Sequence, residues 1–404
     1  MQYKSTPIGE IPVNWEVKSL GELGEFKSGS GFPIDEQGGS NGVPFYKVSD
    51  MNLPENEIFM NISNNYISEE QVLKLKLKPI NKEAIIFAKV GAAIFLERKR
   101  LAKCFLIDNN MMALVPKIPS FYLKYYLDFI RLSKYAQTGA LPAYNASDLK
   151  IIQIPIPPHP EQNKIADILS TWDKAIQQTQ SLVQKLELRN KALAFSLLTG
   201  KKRVKGFEEK WEITNFGKII SRVTKKNEEL DDTVVTISAK RGFILQEDFF
   251  NKRVASNTLS GYYLLKKGQF AYNKSYSNGY PMGVFKRLND FDKAVVTTLY
   301  ICFELKENIC SDFMVHYFDN GLMNTNLMKI AKEGGRAHGL LNIGIEDFMN
   351  LKITMPSLEE QTAIAEILNT AQQELKQYQE KLKALQLQKK GLMQQLLTGK
   401  LRTI

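Results

Sequence analysis

The chain has 404 residues, 44% of them hydrophobic and 24% charged, an ordinary globular composition with room for two or three domains rather than a single core. Its 54 Lys and Arg against 43 Asp and Glu give a formal net charge of +11, which favours a polyanionic partner, because cations gain affinity by releasing counterions from phosphates. The opening Met1–Glu10 lacks an apolar segment behind a basic start, and the most apolar stretch, Ala84–Leu96, is short and broken by Lys89, so secretion and membrane spanning are set aside and a soluble, cytoplasmic protein is expected.

In chain order, residues 1–155 carry short apolar, β-branched or aromatic runs at Phe45–Val48, Glu83–Phe87 and Met111–Val115, which predict strands. Ser120 predicts the N-cap of an amphipathic helix bearing Tyr122, Tyr125, Tyr126 and Phe129. Residues 156–203 change character. After Pro160, the series Ile165, Leu169, Trp172, Ile176, Thr179, Val183, Leu186, Asn190, Leu193 and Leu197 alternates at four- and three-residue spacing, the 3.5-residue period of a coiled-coil helix. Residues 204–354 return to the first pattern, with strands expected at Val234–Ile237 and Ala294–Phe303 and a helix capped by Ser311 that carries Met314, Tyr317, Phe318 and Leu322. Residues 355–404 repeat the long helix through Ile364, Leu368, Ala371, Leu375, Tyr378, Leu382, Leu385, Lys389, Leu392 and Leu396.

The chain is therefore a duplication. Asp148–Leu169 matches Asp347–Leu368 at a constant offset of 199 residues, which also carries Pro157 onto Pro356, Glu161-Gln162 onto Glu360-Gln361, and Leu197–Lys201 onto Leu396–Lys400. Upstream the offset drifts: Trp15 and Gly21 fall on Trp211 and Gly217 at 196, and Phe121, Tyr125 and Tyr126 on Phe313, Tyr317 and Phe318 at 192. Helix length is kept while loops inside the domains vary.

Two helices of matched length and register favour pairing with each other. The polar Asn190 and Lys389 fall at the same step of both series, where they cost stability but fix register. Gly200 and Gly399 close the helices, with Lys201 and Lys400 near the negative dipole end. As one helix, residues 161–198 extend about 57 Å. Antiparallel pairing would make a dumbbell with pseudo-twofold symmetry, in which two α/β (α+β) domains are separated by two long antiparallel coiled-coil helices.

The doubled Pro-x-x-x-Glu-Gln-x-x-Ile-Ala (Pro157–Ala166, Pro356–Ala365), the twice-used Leu-Leu-Thr-Gly-Lys and the Gly-x-Ile-Pro-x-x-Trp opening (Gly9–Trp15) together resemble the specificity subunits of type I restriction-modification systems. That resemblance covers essentially the whole chain. It implies that each domain is a target recognition domain reading half of a bipartite site on double-stranded DNA. It also implies that the helices set the gap and dock two methyltransferase subunits, which would bring S-adenosylmethionine. Restriction/translocase subunits would use ATP and Mg; no cofactor is expected on this chain itself. The glycine loop Lys27–Pro33 has no clear counterpart in Ser221–Asn227, so the two domains are expected to read different half-sites.

Sequence readout needs Arg, Lys, Asn, Gln, Ser or Thr on exposed loops. The candidates in the first domain are Lys27, Ser28, Ser30, Lys47, Ser49, Lys89, Tyr144 and Asn145. In the second they are Lys225, Lys240, Arg241, Lys274, Ser275, Tyr276, Ser277, Asn278, Tyr280, Arg336 and His338. Lys201, Lys202, Arg203 and Lys205 read as helix-end cations before phosphate contacts, and Trp15 and Trp211 as core anchors.

No Asn/Asp-Pro-Pro-Tyr/Phe tetrad, no dinucleotide-type glycine spacing and no phosphate loop of the Gly-x-x-x-x-Gly-Lys-Ser/Thr kind occurs, so catalysis is not expected. Cys104, Cys302 and Cys310 are scattered in apolar runs and read as buried reduced thiols; with only His159, His316 and His338 besides, a zinc site is set aside. The competing class is a stand-alone sequence-specific or architectural DNA-binding regulator, which would bind without partner subunits.

Overall fold

The computed structural model describes residues 2–137, 139, 141–250, 258–277, 279–331, 339 and 341–403. By internal contacts the chain divides into two units, residues 1–180 with 380–404, and residues 181–379. The sequence candidates Asn278, Arg336 and His338 lie outside the described residues.

In the first unit, strands Gly24–Ser28, Met111–Pro116, Ala84–Ala88 and Lys99–Ala102 pair antiparallel in that spatial order. Period-two alternation sorts their side chains. Ile85, Phe87, Leu101, Met112 and Leu114 pack with Tyr122 and Tyr125 of helix Ser120–Phe129 and with Ile165, Leu169 and Leu396 of the long helices. Ala84, Ile86, Ala102, Met111 and Ala113 face a second cluster with Tyr46, Met51 and Phe105. Burial on both faces explains why Ala84–Ala88 is apolar throughout.

The second unit repeats the sheet with strands Ile220–Arg222, Ile301–Leu305, Phe270–Asn273 and Val284–Arg287 in the same order. Phe270, Tyr272, Phe285 and Phe303 meet Phe216, Phe318 and Phe348 on one face, with Phe285 stacked on Phe318 at 4.3 Å. Ala271, Val284 and Cys302 face the other side.

Each long helix is entered the same way. Strand Glu16–Ser19 pairs with Gln153–Ile156, and Glu212–Asn215 with Lys352–Met355, just before helices His159–Leu198 and Leu358–Leu397. That pairing carries Trp15 and Trp211 to the helix starts. Trp15 Nε1 donates to Glu161 Oε2 at 3.0 Å and Trp211 Nε1 to Glu360 Oε2 at 2.9 Å. Arg402 grips Glu161 through Nε and Nη2 at 2.6 and 2.8 Å, and Arg203 grips Glu360 through the same atoms at 2.7 Å each. Gln162 and Gln361 donate back to the carbonyls of Pro157 and Pro356.

The helices close on Gly200 (φ 69°) and Gly399 (φ 72°), as the left-handed C-terminal position favours. A Cβ on Gly399 would also lie 2.5 Å from Pro12 Cδ.

Within each unit the long-helix segments run antiparallel. In the first unit Glu161 meets Arg402 and Asp173 meets Lys389. In the second Glu187 meets Gln379, Arg189 meets Glu374 and Arg203 meets Glu360. Among the expected seam positions Ile165, Leu169, Thr179, Val183, Leu186, Leu197, Ile364, Leu368, Ala371 and Leu396 are buried, while Trp172, Ile176, Asn190, Leu193, Leu375, Tyr378, Leu382, Leu385, Lys389 and Leu392 are half-buried; none is exposed. Asn190 Nδ2 donates to the Ala371 carbonyl at 2.8 Å. Lys389 pairs with Asp173, which also accepts from Tyr125 OH at 2.7 Å.

Several local expectations are corrected. Ala294–Phe303 is two strands, Lys293–Val296 and Ile301–Leu305, because a turn returning the Tyr300 N–H to the Thr297 carbonyl sends them to different sheets. Ser120 and Ser311 are first helical residues, not caps; their hydroxyls engage Glu83 and Arg287. Leu322 lies beyond the helix, which stops at Asp319. Strand Val43–Tyr46 ends before Val48, which opens a 3-10 turn. Cys104 is exposed, in a left-handed turn with φ 54°. Arg203 is occupied by Glu360 rather than serving the helix end. Trp15 is fully buried and Trp211, half-buried, packs against the core of its unit, as expected of anchors.

Candidate nucleic-acid interface

In the first domain, Lys27 and Ser28 end the edge strand Gly24–Ser28, and Ser30 follows across Gly29. A Cβ at Gly29 would sit 1.8 Å from the Asp108 carbonyl oxygen, so only glycine allows this loop to lie against the neighbouring chain. The Ser30 N–H donates to the Ile107 carbonyl at 2.9 Å. Lys27, Ser28 and Ser30 line a cleft of about 500 Å³ whose other wall carries Lys76, Lys78, Asn81 and Lys82.

The three wall lysines were missed by the sequence reading. For Lys76 and Lys78 a signal was present: the alternation Lys74-Leu75-Lys76-Leu77-Lys78 puts cations at every second position beside apolar residues that pack inward, whereas Lys82 lies outside it. The cleft also holds Glu25, which is ion-paired with Lys27; that hydrogen bond holds the exposed Glu25 carboxyl below its ordinary value. Lys27 therefore starts partly neutralised, whereas Lys76, Lys78 and Lys82 are exposed with no ionic partner among the described residues.

The other first-domain candidates lie outside this cleft. Lys47 is half-buried, hydrogen-bonds Gln37 and stands 5.9 Å over the Phe32 ring; Ser49 is exposed on the 3-10 turn Val48–Asn52. Lys89 is half-buried just past strand Ala84–Ala88. Asn145 is exposed at the start of the short helix Ala146–Lys150, its N–H donating to Asp148. Tyr144 is a correction. It is buried, its ring lies 6.1 Å from Phe87 and its hydroxyl donates to the Ala88 carbonyl at 2.6 Å, and burial raises its phenol well above the ordinary range. It is a core residue and cannot reach DNA.

In the second domain, Lys225 is exposed but paired with Glu229 at 2.6 Å. Lys240 and Arg241 sit exposed at the tip of the hairpin Val235–Ser238/Gly242–Leu245. Lys274 is half-buried after strand Phe270–Asn273, and the Ser275 N–H is held by Asn273 Oδ1 at 2.9 Å. Tyr276 is 61% exposed, its N–H donating to the Gly339 carbonyl at 2.6 Å, and Ser277 and Tyr280 close a bridge beyond it. Lys274, Ser275, Tyr276, Ser277 and Tyr280 are thus brought together, while Lys240 and Arg241 stand on another hairpin.

No group of His, Cys, Asp and Glu able to hold a metal ion occurs among the described residues, and no described helix is long and apolar enough to cross a membrane. The geometry offers cations, hydroxyls and amides on exposed loops, which is chemistry for gripping phosphates and base edges.

A family profile for the type I restriction modification DNA specificity domain matches the chain twice, over residues 12–188 and 201–386. A putative type I restriction enzyme MjaX specificity subunit from Methanocaldococcus jannaschii is 25% identical over 452 aligned residues, covering 99% of this chain and 96% of that protein. The EcoR124I/EcoR124II specificity subunit of Escherichia coli is 28% identical over 45% of this chain and 46% of its own length. In fold, the chain is similar to the type I system S subunit of M. genitalium, with TM-score 0.58, 16% identity, and coverage of 95% and 96% of the two chains. It is also similar to the HsdS subunit of Thermoanaerobacter tengcongensis, with TM-score 0.51, 14% identity, and coverage of 98% and 100%.

Proposed function

The chain belongs to the type I restriction-modification DNA specificity family, and from that premise we propose that its two globular domains each read one half of an asymmetric bipartite site on double-stranded DNA. Its part in such a system is recognition, not catalysis. The long helices set the unspecified gap and dock two methyltransferase subunits, which bring S-adenosylmethionine; restriction/translocase subunits add ATP- and Mg-dependent steps.

The observation that supports this reading best is the pair of equivalent sheets bearing unlike loops. The four strands of each sheet run in the same order, and each domain enters its long helix through the same Trp–Glu–Arg contact, but the presented groups differ. The first domain offers a lysine cleft with Ser28 and Ser30, and the second offers the Lys274–Tyr280 loop. One scaffold with two different reading surfaces suits an asymmetric target.

The test is co-expression with a cognate methyltransferase subunit followed by methylome sequencing. One asymmetric bipartite sequence carrying methylated adenines is expected. An unmodified genome in a strain where both subunits are soluble and associated would overturn the reading.

A further inference from the structure

The two sheets can be superposed by register. Gly21 and Gly217 correspond, which aligns Phe26 with Arg222; Phe26 pairs across to Leu114 and Arg222 to Phe303, so these central-strand positions correspond too. Leu114 pairs with Ile85 and Phe303 with Phe270. Four residues beyond Ile85 is Lys89, and four beyond Phe270 is Lys274. A separate contact agrees with this alignment: the Lys89 carbonyl accepts the Tyr144 N–H at 3.2 Å, and the Lys274 carbonyl accepts the Leu341 N–H at 3.0 Å. In both domains a lysine leaves the same strand and holds the segment that leads towards the long helix.

Neither ammonium has an acidic partner among the described residues, and the second domain adds an oddity. Arg222, on the edge strand, is half-buried, and its Nε is buried with no hydrogen-bond partner. Lys274 is held below the ordinary lysine value, first by burial and then by the positive charge of Arg222. Two half-buried cations that repel each other, with no carboxylate paired to either among the described residues, raise the free energy of the unliganded domain. An anion entering between them would satisfy the orphan Nε and relieve the repulsion. Ser275 and Tyr276 extend the same loop with further donors.

We propose that Arg222 and Lys274 form an anion site that takes a phosphodiester group of the DNA backbone, and that Lys89, with Phe26 at the register position of Arg222, is the single-cation form of that site in the first domain. This rests on the reading of both domains as DNA-binding. A half-buried arginine can hold two phosphate oxygens through its planar fork, while lysine adds a point charge. The site therefore positions the duplex on the second domain and carries no base sequence information of its own.

The test uses the full chain in complex with its methyltransferase subunits and mixed-sequence duplex DNA, with affinity measured across a salt series. Each phosphate contact contributes about 0.9 to the slope of log affinity against log salt. R222F, which installs the first domain's residue, and K274M should each flatten the slope by about that amount; R222K should restore most of it. K89M should do the same for the first domain. Because R222F also removes one of two repelling charges, its melting temperature should equal or exceed that of the parent. A slope unchanged in both R222F and K274M would overturn the proposal, as would a loss confined to one target sequence at constant slope, which would make the pair a base reader. A parent complex that binds no duplex at any salt would instead overturn the DNA reading itself, and this site with it.

Discussion

Glu161, fully buried at the start of the first long helix, is held by Arg402, which lies beyond the end of the second, through two hydrogen bonds of 2.6 and 2.8 Å. Trp15 completes the cage, and Glu360, Arg203 and Trp211 repeat it at the matching positions. Removing one member of a buried ion pair strands the other, at a cost of about 3–5 kcal/mol. R402A should therefore destabilise the full chain to urea by about that amount. E161Q/R402M, which leaves no buried charge, should cost clearly less than the sum of the single changes. Additive losses would show that the two side chains do not act as a unit.

The polar residues within the helix seam are not equivalent. Lys389 neutralises Asp173, whose carboxylate is only 13% exposed and also accepts from Tyr125. Asn190 donates to the Ala371 carbonyl, a group already served by its own helix ladder. K389L should thus destabilise by about 1–3 kcal/mol although it adds an apolar side chain, because Asp173 is left with one neutral donor. N190L should be neutral or stabilising by up to about 1 kcal/mol, with loss of register specificity as its cost. Thermal melting of the two variants decides; equal losses would contradict the distinction.

The helices were legible because the 3.5-residue period and the constant offset are local signals that no tertiary contact has to supply. The meaning of Glu161, Glu360, Arg203 and Arg402 was not. The repeat pointed to the Glu-Gln pairs, yet their partners lie 241 and 157 residues away in sequence, and nothing in a linear motif states that a helix start and a distant helix end share one cage. The domain surfaces were half legible for a similar reason. Gly29 and its flanking serines stood out by composition, whereas Lys76, Lys78 and Lys82 become part of the same cleft only when Met111–Pro116 brings the edge strand beside the sheet. Tyr144 misled because an aromatic next to Asn145 in a loop looks like a reading residue until its hydroxyl is seen to have a backbone partner.

Glu229 gives a pH signature. Hydrogen bonds from Lys225 and Lys293 pull its pKa down to about 2 from 4.5. A carboxyl depressed in the folded state contributes stability that is complete above its unfolded value and disappears as pH falls through the folded one. The difference in melting temperature between the parent and E229Q should be largest above pH 5, shrink between about pH 4.5 and 2, and be small throughout in 1 M salt, because the group is exposed and screened. A difference that grew on acidification would refute the assignment. E229Q should also free Lys225 and increase duplex affinity at low salt.

The cleft of the first domain sets two opposite expectations. Lys76, Lys78 and Lys82 are exposed and form no ion pair among the described residues, so K76A/K78A/K82A should weaken binding of the assembled complex to every duplex alike and flatten the salt dependence by up to about 0.9 per phosphate lost. Glu25, which neutralises Lys27 inside the same cleft, repels phosphate; E25Q should strengthen binding and steepen the salt dependence. The comparison separates a phosphate-gripping cleft from a passive surface, because loss of net charge alone predicts the first result at any exposed lysines, whereas moving the charges to K201A/K202A/K205A, outside the cleft, should then have the same effect. Salt titrations of the three variants, with melting temperatures as a control for folding, measure this directly; equal losses in the two triple variants would remove the cleft from the DNA interface.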